Sequence, residues 1–360
     1  MPTAAQPEGG GGVNMTPVVL EASAVAPFWE QLFQRYRVMG PKEKEPGFYV
    51  FDWLSGPGEL VLDYVTTILP PKKAFFPPRD VLFRFEQGRN GTPPKVEPIF
   101  EQEPFLLVGV HPCDLAGIAL LDWAFSQGHV DPHWWARREA ATIIGVNCFP
   151  DEYCFCTSVG TCRPGGGYDL FLTPIEAGYF VEVGSEKGQR LLEAYAQRRP
   201  PEPNDFRDAE RFWREKEERI SRRLKTPAYA LPLLLDASVE SPVWERTAQR
   251  CYSCGSCTTV CPTCFCFDVV DELTLDLRKG ERVRRWDSCQ FLDFARVAGG
   301  QNFRGERVAR TRHRWYRKFY YLMARYGRPF CTGCGRCARA CTANIGLVEV
   351  LNELAEGGEP

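Results

Sequence analysis

The residues in this sequence that are best suited to carry chemistry are cysteines. The chain has 360 residues and 16 cysteines, and eight of them form two runs with the spacing C-x2-C-x2-C-x3-C. The first run is CYSCGSCTTVCP at 251–262, and the second is CTGCGRCARACT at 331–342. Three thiolates spaced in this way can bind three corners of one 4Fe-4S cube, while the fourth cysteine of the run reaches a second cube. The spacing therefore predicts two 4Fe-4S clusters.

Each predicted cluster takes three ligands from one run and one from the other. The first cluster is assigned to Cys251, Cys254, Cys257 and Cys341. The second cluster is assigned to Cys331, Cys334, Cys337 and Cys261. Zinc is the alternative occupant, although zinc sites typically use paired C-x2-C elements. Two neighbouring clusters favour electron transfer over catalysis, and no catalytic residue is assigned.

Four cysteines further upstream form a separate candidate ligand set: Cys113, Cys148, Cys154 and Cys156. Cys113 follows a predicted strand at 105–110, and Cys148 closes a second predicted strand at 141–148. The carboxyl ends of neighbouring parallel strands meet at the edge where open α/β sheets bind ligands. A third iron-sulfur cluster is therefore one hypothesis, and a structural role or zinc is the other, because this spacing matches no ferredoxin run. Cys162 is a fifth thiol nearby, and His111 is a further ligand candidate.

Three more cysteines, Cys264, Cys266 and Cys289, lie beyond the first run. Free cysteine is often buried as a small hydrophobic residue, which is the favoured interpretation of these three. The alternative is a further ligand set whose fourth partner is not identified.

The pattern of apolar residues predicts an α+β protein with two domains. Residues 1–20 are expected to be a disordered tail, and residues 21–235 an α/β domain that contains a βαβ unit at 105–148. Residues 236–360 are expected to form a mainly helical, ferredoxin-like domain with two clusters. A basic insert at 270–330, predicted to be helical, separates its two cysteine runs.

Composition narrows the classes of function. The net charge of -2 and the 44% hydrophobic content are typical of an ordinary globular protein. The sequence shows neither a membrane span nor a secretory signal, so a reducing cytoplasm is expected. Residues 278–328 contain fifteen Arg or Lys and four Asp or Glu. This excess is interpreted as countercharge for anionic clusters, with nucleic-acid binding as the less favoured alternative.

No dinucleotide-binding or phosphate-binding glycine motif is present, so the chain has no visible site for hydride or substrate chemistry. It is expected to work inside a larger complex.

Several segments outside the cluster runs carry a resemblance to a known family. They are ILPPKKAFFPPRD (68–80), GVHPCDLAGIALLD (109–122), IIGVNCFPDEYCFC (143–156), CPTCFC (261–266), RRWDSCQF (284–291), AGGQNFR (298–304) and CTGCGRC (331–337). With them the chain resembles the beta subunit of sulfhydrogenase, the cytoplasmic NADP-linked nickel-iron hydrogenase, and its relative, the A subunit of anaerobic sulfite reductase.

The resemblance implies an electron-relay subunit in a hetero-oligomer. Its partners would be a flavin subunit that handles NAD(P)H and a pair of nickel-iron hydrogenase subunits. In the sulfite reductase relative, a sirohaem subunit is the terminal acceptor instead. Besides the hydrogenase and sulfite reductase relays, a third possible function is that of a stand-alone iron-sulfur binding protein. The four upstream cysteines fall within the family-like segments, whereas Cys162 looks particular to this chain.

Overall fold

The computed structural model describes residues 15–88 and 92–357. The strands in this part of the chain are β1 (Val18–Glu21), β2 (Arg37–Glu45), β3 (Phe48–Trp53), β4 (Arg79–Glu86), β5 (Lys95–Pro98), β6 (Phe105–Val110), β7 (Ala141–Val146), β8 (Leu170–Ile175), β9 (Gly178–Val183), β10 (Phe267–Leu273) and β11 (Lys279–Trp286). The helices are α1 (Ala22–Arg35), α2 (Pro112–Phe125), α3 (Pro132–Ala140), α4 (Glu186–Tyr195), α5 (Pro203–Arg219), α6 (Leu231–Ala237), α7 (Val243–Arg250), α8 (Ser256–Thr259), α9 (Arg307–Tyr316), α10 (Leu322–Tyr326), α11 (Arg336–Arg339) and α12 (Leu347–Ala355). The α+β class is confirmed.

A mixed seven-stranded sheet forms the centre of the N-terminal half, in the order β1-β9-β8-β7-β6-β2-β3. Its central strands β2, β6, β7 and β8 are parallel neighbours, and the outer pairings are antiparallel. All six residues of β6 are buried, as expected for a strand covered on both faces. The predicted βαβ unit is present as β6, α2, α3 and β7, so the carboxyl ends of β6 and β7 share one edge of the sheet.

The chain enters this sheet earlier than expected. The tail was predicted to extend to residue 20, but β1 pairs with β9 along Val18↔Val181 and Val19↔Phe180. A four-residue edge strand is too short to show a periodic pattern, and its stability comes from partners far along the chain. Residues 1–14 of the predicted tail lie outside the described residues.

The basic insert is only partly helical. Its first part forms the hairpin β10–β11, and β11 pairs with β4 in a four-stranded antiparallel sheet of order β10-β11-β4-β5. This sheet combines strands from both predicted domains, so the boundary at 235/236 does not separate two independent sheets. Cross-strand ion pairs such as Arg282–Asp271 and Arg79–Glu281 neutralise charges that the sequence pattern had placed on a helix.

The second part of the insert is the helical segment that the pattern predicted. α9 continues through one turn of π-helix at Arg317–Tyr321 into α10. Trp315 and Phe319 pack into a second core with α6, α7 and α12. The excess of Arg and Lys in the insert was interpreted as countercharge for anionic clusters, and Arg314 and Lys318 of this segment are buried beside cysteines.

In the described ranges, no helix combines the length and apolar character that crossing a bilayer requires.

Candidate metal centres

The first predicted ligand set converges on one cavity between the two cysteine runs. The run at 251–261 begins where α7 ends, and α8 follows a turn at Gly255, whose φ is +78°. The cavity is lined by all four predicted thiols, Cys251, Cys254, Cys257 and Cys341. The fourth cysteine of the second run therefore lies beside the first three of the other run, as the two-cluster pattern requires. Cys254 is the one exposed thiol among the 16 cysteines, all of which lie in described residues.

The second predicted set lies beside the buried ammonium group of Lys318, which interacts with Cys261 and Cys331 of this set. Lys318 Nζ lies 3.1 Å from Cys261 Sγ, and Cys261 contributes electrostatically to the pKa values of Cys331 and Cys334. Cys337 does the same, so the four thiols are neighbours. Burial raises the pKa of Cys331 to about 12 and that of Cys334 to about 11. These thiols therefore keep their protons at neutral pH unless a bound metal displaces them.

The four upstream cysteines line a third cavity at the carboxyl edge of the seven-stranded sheet. Cys113 is in the first turn of α2, directly after β6, and Cys148 lies two residues beyond β7. The thiols in the cavity wall are Cys113, Cys148, Cys154 and Cys156, with His111 and Lys216 beside them. The strand-edge argument therefore identified residues that do come together. Cys334 of the second set also contributes to this wall.

Cys162 is buried against the third cavity. A hydrogen bond joins its thiol to that of Cys156, and this bond raises the pKa of Cys156 while it lowers that of Cys162 to about 7. Cys162 is therefore close enough to Cys156 to compete with it for the same ligand position.

Several buried polar atoms at these centres have no protein partner in the part of the chain that the structure describes. In the first cavity they are Arg314 Nε, Arg314 Nη2 and Thr311 Oγ1, and in the third cavity the atom is His111 Nε2. Thr332 Oγ1, next to Cys331, is a further case. Buried donors without acceptors are costly and need a reason. Sulfur acceptors of an anionic cluster would satisfy the arginine donors, so the residues present fit such a group.

Each thiol set has a buried cation beside it for which the described part of the chain provides no carboxylate partner. Arg314 faces the first set, Lys318 the second and Lys216 the third, and each is less than 5% exposed. Burial lowers the pKa of each cation, but the neighbouring thiols raise it more, so all three pKa values are above normal. An uncompensated buried charge is strongly unfavourable. These cations therefore need negative charge beside them, which thiolates bound to a metal cluster would supply.

The remaining cysteines, Cys264, Cys266 and Cys289, are all buried. The Cys264 thiol hydrogen-bonds that of Cys261, and the Cys266 thiol hydrogen-bonds that of Cys289. Across residues 15–88 and 92–357, no three His, Cys, Asp or Glu side chains are close enough to hold a single metal ion. The burial of Cys264, Cys266 and Cys289 agrees with the favoured prediction that they pack as small hydrophobic residues.

The loop of the third cavity packs directly on the second cysteine run. Phe155 N donates to Gly333 O at 2.8 Å, and Thr161 Oγ1 donates to Thr332 O at 2.7 Å. Gly333 has φ +61°, and a Cβ there would lie 2.6 Å from Cys156 Cα. The second and third centres are therefore neighbours that share a tightly packed wall.

We expect Gly333→Ala to destabilise the chain by about 1–3 kcal/mol, because the added methyl group overpacks this wall. The measurement is the thermal unfolding midpoint together with the iron content. Gly327→Ala is the matched control, since Gly327 has φ +76° but no heavy atom within 4 Å of its Cβ position. Equal losses in both variants would show that backbone strain, and not the packed wall, determines the effect.

A buried ion pair also links the two centres. Arg336, on the second run, forms two bonds of 2.6 and 2.7 Å with the carboxylate of Asp114, which is adjacent to Cys113. Asp114 lies in the first turn of α2, whose N-cap is His111. Its partner Arg336 is 222 positions away in the chain. No local signal predicts that contact, nor the burial of Lys216, Arg314 and Lys318.

Comparison with known proteins agrees with this arrangement. Residues 250–345, which hold the first two thiol sets, match the 4Fe-4S dicluster domain family. The chain is 38% identical to sulfhydrogenase 2 subunit beta of Pyrococcus furiosus over 342 residues, which cover 94% of this chain and 98% of that protein. Similarity at this level extends through the third cavity as well as the dicluster domain. The chain therefore belongs to the sulfhydrogenase beta-subunit family and carries a 4Fe-4S dicluster domain.

Proposed function

We propose that this chain relays electrons between a flavin subunit that handles NAD(P)H and nickel-iron hydrogenase subunits. One cluster would be bound by Cys251, Cys254, Cys257 and Cys341. The other would be bound by Cys261, Cys331, Cys334 and Cys337. The observation that carries the proposal is the cavity that all four thiols of the first set line together with the buried Arg314, although these thiols come from both cysteine runs. The two sets are adjacent, since Cys257 of the first is near Cys337 of the second. When bound, each cluster supplies one-electron transfer at a potential set by charge, hydrogen bonds and solvent exposure.

The chain's own residues would influence the redox equilibrium of the clusters and limit their contact with water. Arg314 and Lys318 hold positive charge beside the thiolates, which favours the reduced, more negative state of each centre. Buried thiols keep water away from the second set. The chain itself is not proposed to catalyse a reaction.

The first centre is the proposed point of electron exchange with a partner subunit. Its ligand Cys254 is exposed, and Tyr252 beside it is 73% exposed. Phe291 packs against Gly255 of the same loop, yet 41% of its surface remains exposed. Exposed aromatic residues are enriched at subunit interfaces. A partner subunit bound at this surface would come closer to the first cluster than a partner could come to a cluster whose thiols are all covered by protein.

We also propose that the third cavity holds an iron-sulfur cluster on Cys113, Cys148, Cys154 and Cys156. Its wall includes Cys334, so a third cluster would lie next to the second. The proposed cytoplasmic location agrees with the 16 free thiols, which persist in reducing compartments.

Cysteine substitutions and iron counting test the third centre. Wild-type protein purified anaerobically is expected to contain about twelve irons per chain, since each cube holds four. Because the Cys162 thiol contacts that of Cys156, we expect Cys156→Ser to keep most of the third cluster through ligand exchange. The double variant Cys156→Ser/Cys162→Ser should lose about four irons. A wild-type count of about eight irons would limit the chain to two clusters.

Two other functions share parts of this arrangement. The same relay could end at a sirohaem subunit of an anaerobic sulfite reductase, or the chain could be a stand-alone iron-sulfur protein. Anaerobic isolation of the native complex distinguishes the three functions. Hydrogenase subunits would be recovered with a hydrogenase relay, a sirohaem subunit with a sulfite reductase relay, and no partner with a stand-alone protein.

The relay itself is tested by reducing that complex with NADPH or hydrogen and recording EPR spectra of this subunit. Signals from two 4Fe-4S clusters are expected with either reductant. A colourless, EPR-silent chain that contains zinc would contradict the proposal.

A further inference from the structure

We infer that Lys216 is the positioning and charge-setting residue of the third centre, where its buried ammonium group raises the reduction potential of the cluster held by the upstream thiols. The inference rests on the third cluster proposed above. Lys216 is on α5, a helix whose other charged residues are largely solvent-exposed, yet only 1% of Lys216 is exposed. The lysine therefore reaches from the helix into the cavity wall.

Neutral groups hold the ammonium group in place. Lys216 Nζ donates to Asn147 Oδ1 at 2.9 Å and to Cys162 O at 3.0 Å. Asn147 Oδ1 also accepts the backbone N–H of Cys148 at 3.0 Å. The Cys148 thiol also lies close enough to the ammonium group to interact with it electrostatically. One proposed ligand is thus connected to the ammonium group both directly and through Asn147.

Three buried arginines near the sheets have carboxylate partners, whereas in the described residues Lys216 has none, and neither does Lys72, which donates to Cys264 O beside other cysteines. Arg137 and Arg284 share Asp80, and Arg336 pairs with Asp114. Within residues 15–88 and 92–357, Lys216 forms no ion pair, and its favourable charge interactions are with cysteines. Burying an ammonium group without a counterion is strongly unfavourable. The cavity is therefore built for an occupant that brings negative charge, as a thiolate-bound cluster does.

A fixed positive charge acts differently on the two redox states of such a cluster. The reduced state carries one more negative charge and is stabilised more strongly, so the charge raises the potential. Neutralising Lys216 should lower the equilibrium constant for reduction of the third cluster by at least about tenfold, which corresponds to a shift of roughly 59 mV. The first and second centres have their own cations and should shift little.

The test is an anaerobic redox titration of the full chain in its complex, followed by EPR. Lys216→Gln keeps hydrogen-bond donors but removes the charge, and Lys216→Arg keeps the charge. Arg214→Met removes a positive charge from an exposed position on the same helix and is the matched control. Iron content is measured for each variant, so that cluster loss is separated from a potential shift.

We expect Lys216→Gln to lower the third potential or to lose the third cluster alone, while Lys216→Arg and Arg214→Met stay near the wild type. A Lys216→Gln protein with about twelve irons and an unshifted third potential would overturn the inference while leaving the third cluster intact. Loss of the third cluster in Lys216→Arg as well would assign the lysine a packing role and also overturn it. A wild-type protein with two clusters would instead refute the third centre itself.

Discussion

Replacing Cys254 with alanine is expected to reduce NAD(P)H-linked turnover of the complex to background while sparing hydrogen oxidation with an artificial dye. Cys254 is the exposed member of the ligand set proposed for the first centre, and it lies at the proposed partner surface. Without its thiolate the cube loses one of four anchors, so the first EPR signal should disappear. The dye accepts electrons directly from the hydrogenase subunits and does not need this relay.

The control for that substitution is Cys162→Ala, which removes a thiol that is not assigned to a cluster. The control should retain both activities and all clusters. If pyridine-nucleotide-linked turnover survived in Cys254→Ala without the first EPR signal, electrons would bypass the first centre and the relay assignment would be wrong.

Arg336→Met is expected to cost about 3–5 kcal/mol of stability, because it leaves the Asp114 carboxylate buried without its partner. Both side chains are at most 2% exposed. Arg336 also donates to Thr67 O at 3.0 Å, so the change frees a third buried group. The second run and α2 should separate, and both adjoining centres should lose iron. Thermal unfolding of the anaerobically purified chain and its iron content measure the effect.

A double substitution separates the destabilisation caused by an unpaired buried charge from the destabilisation caused by lost side-chain packing. Asp114→Asn/Arg336→Met removes both charges and should recover part of the stability that Arg336→Met loses. Arg79→Met is the surface control, since Arg79 pairs with Glu272 and Glu281 where side chains are 29–47% exposed. Exposed pairs contribute only about 0–1 kcal/mol. A similar loss from the surface variant would mean that burial of the Asp114 pair has little effect.

Local spacing predicted the elements whose geometry is set within a few residues. The C-x2-C-x2-C runs form tight loops, and each loop turns through a glycine with positive φ, Gly255 in the first and Gly335 in the second. The βαβ unit was predicted from apolar runs alone. The meeting of Cys113 and Cys148 followed from the rule that neighbouring parallel strands end at one edge.

Elements that depend on distant partners were missed. The hairpin β10–β11 was included in a helical insert because its charges resembled a helix face, whereas its ion pairs cross between strands. β1 is stabilised by β9, about 160 residues later, and was assigned to a tail. Propensity over a few residues contains no information about such partners.

The sequence by itself therefore determined that this protein carries thiol sets for iron-sulfur clusters, because ligand spacing is a local property of the chain. Only the tertiary structure decided which buried cations face those thiols. The sequence indicated that the basic insert supplies countercharge, but it did not single out Arg314, Lys318 or Lys216 among its many Arg and Lys residues. Their roles follow from burial beside sulfur without a carboxylate, and burial is a consequence of packing between segments that are far apart in the chain.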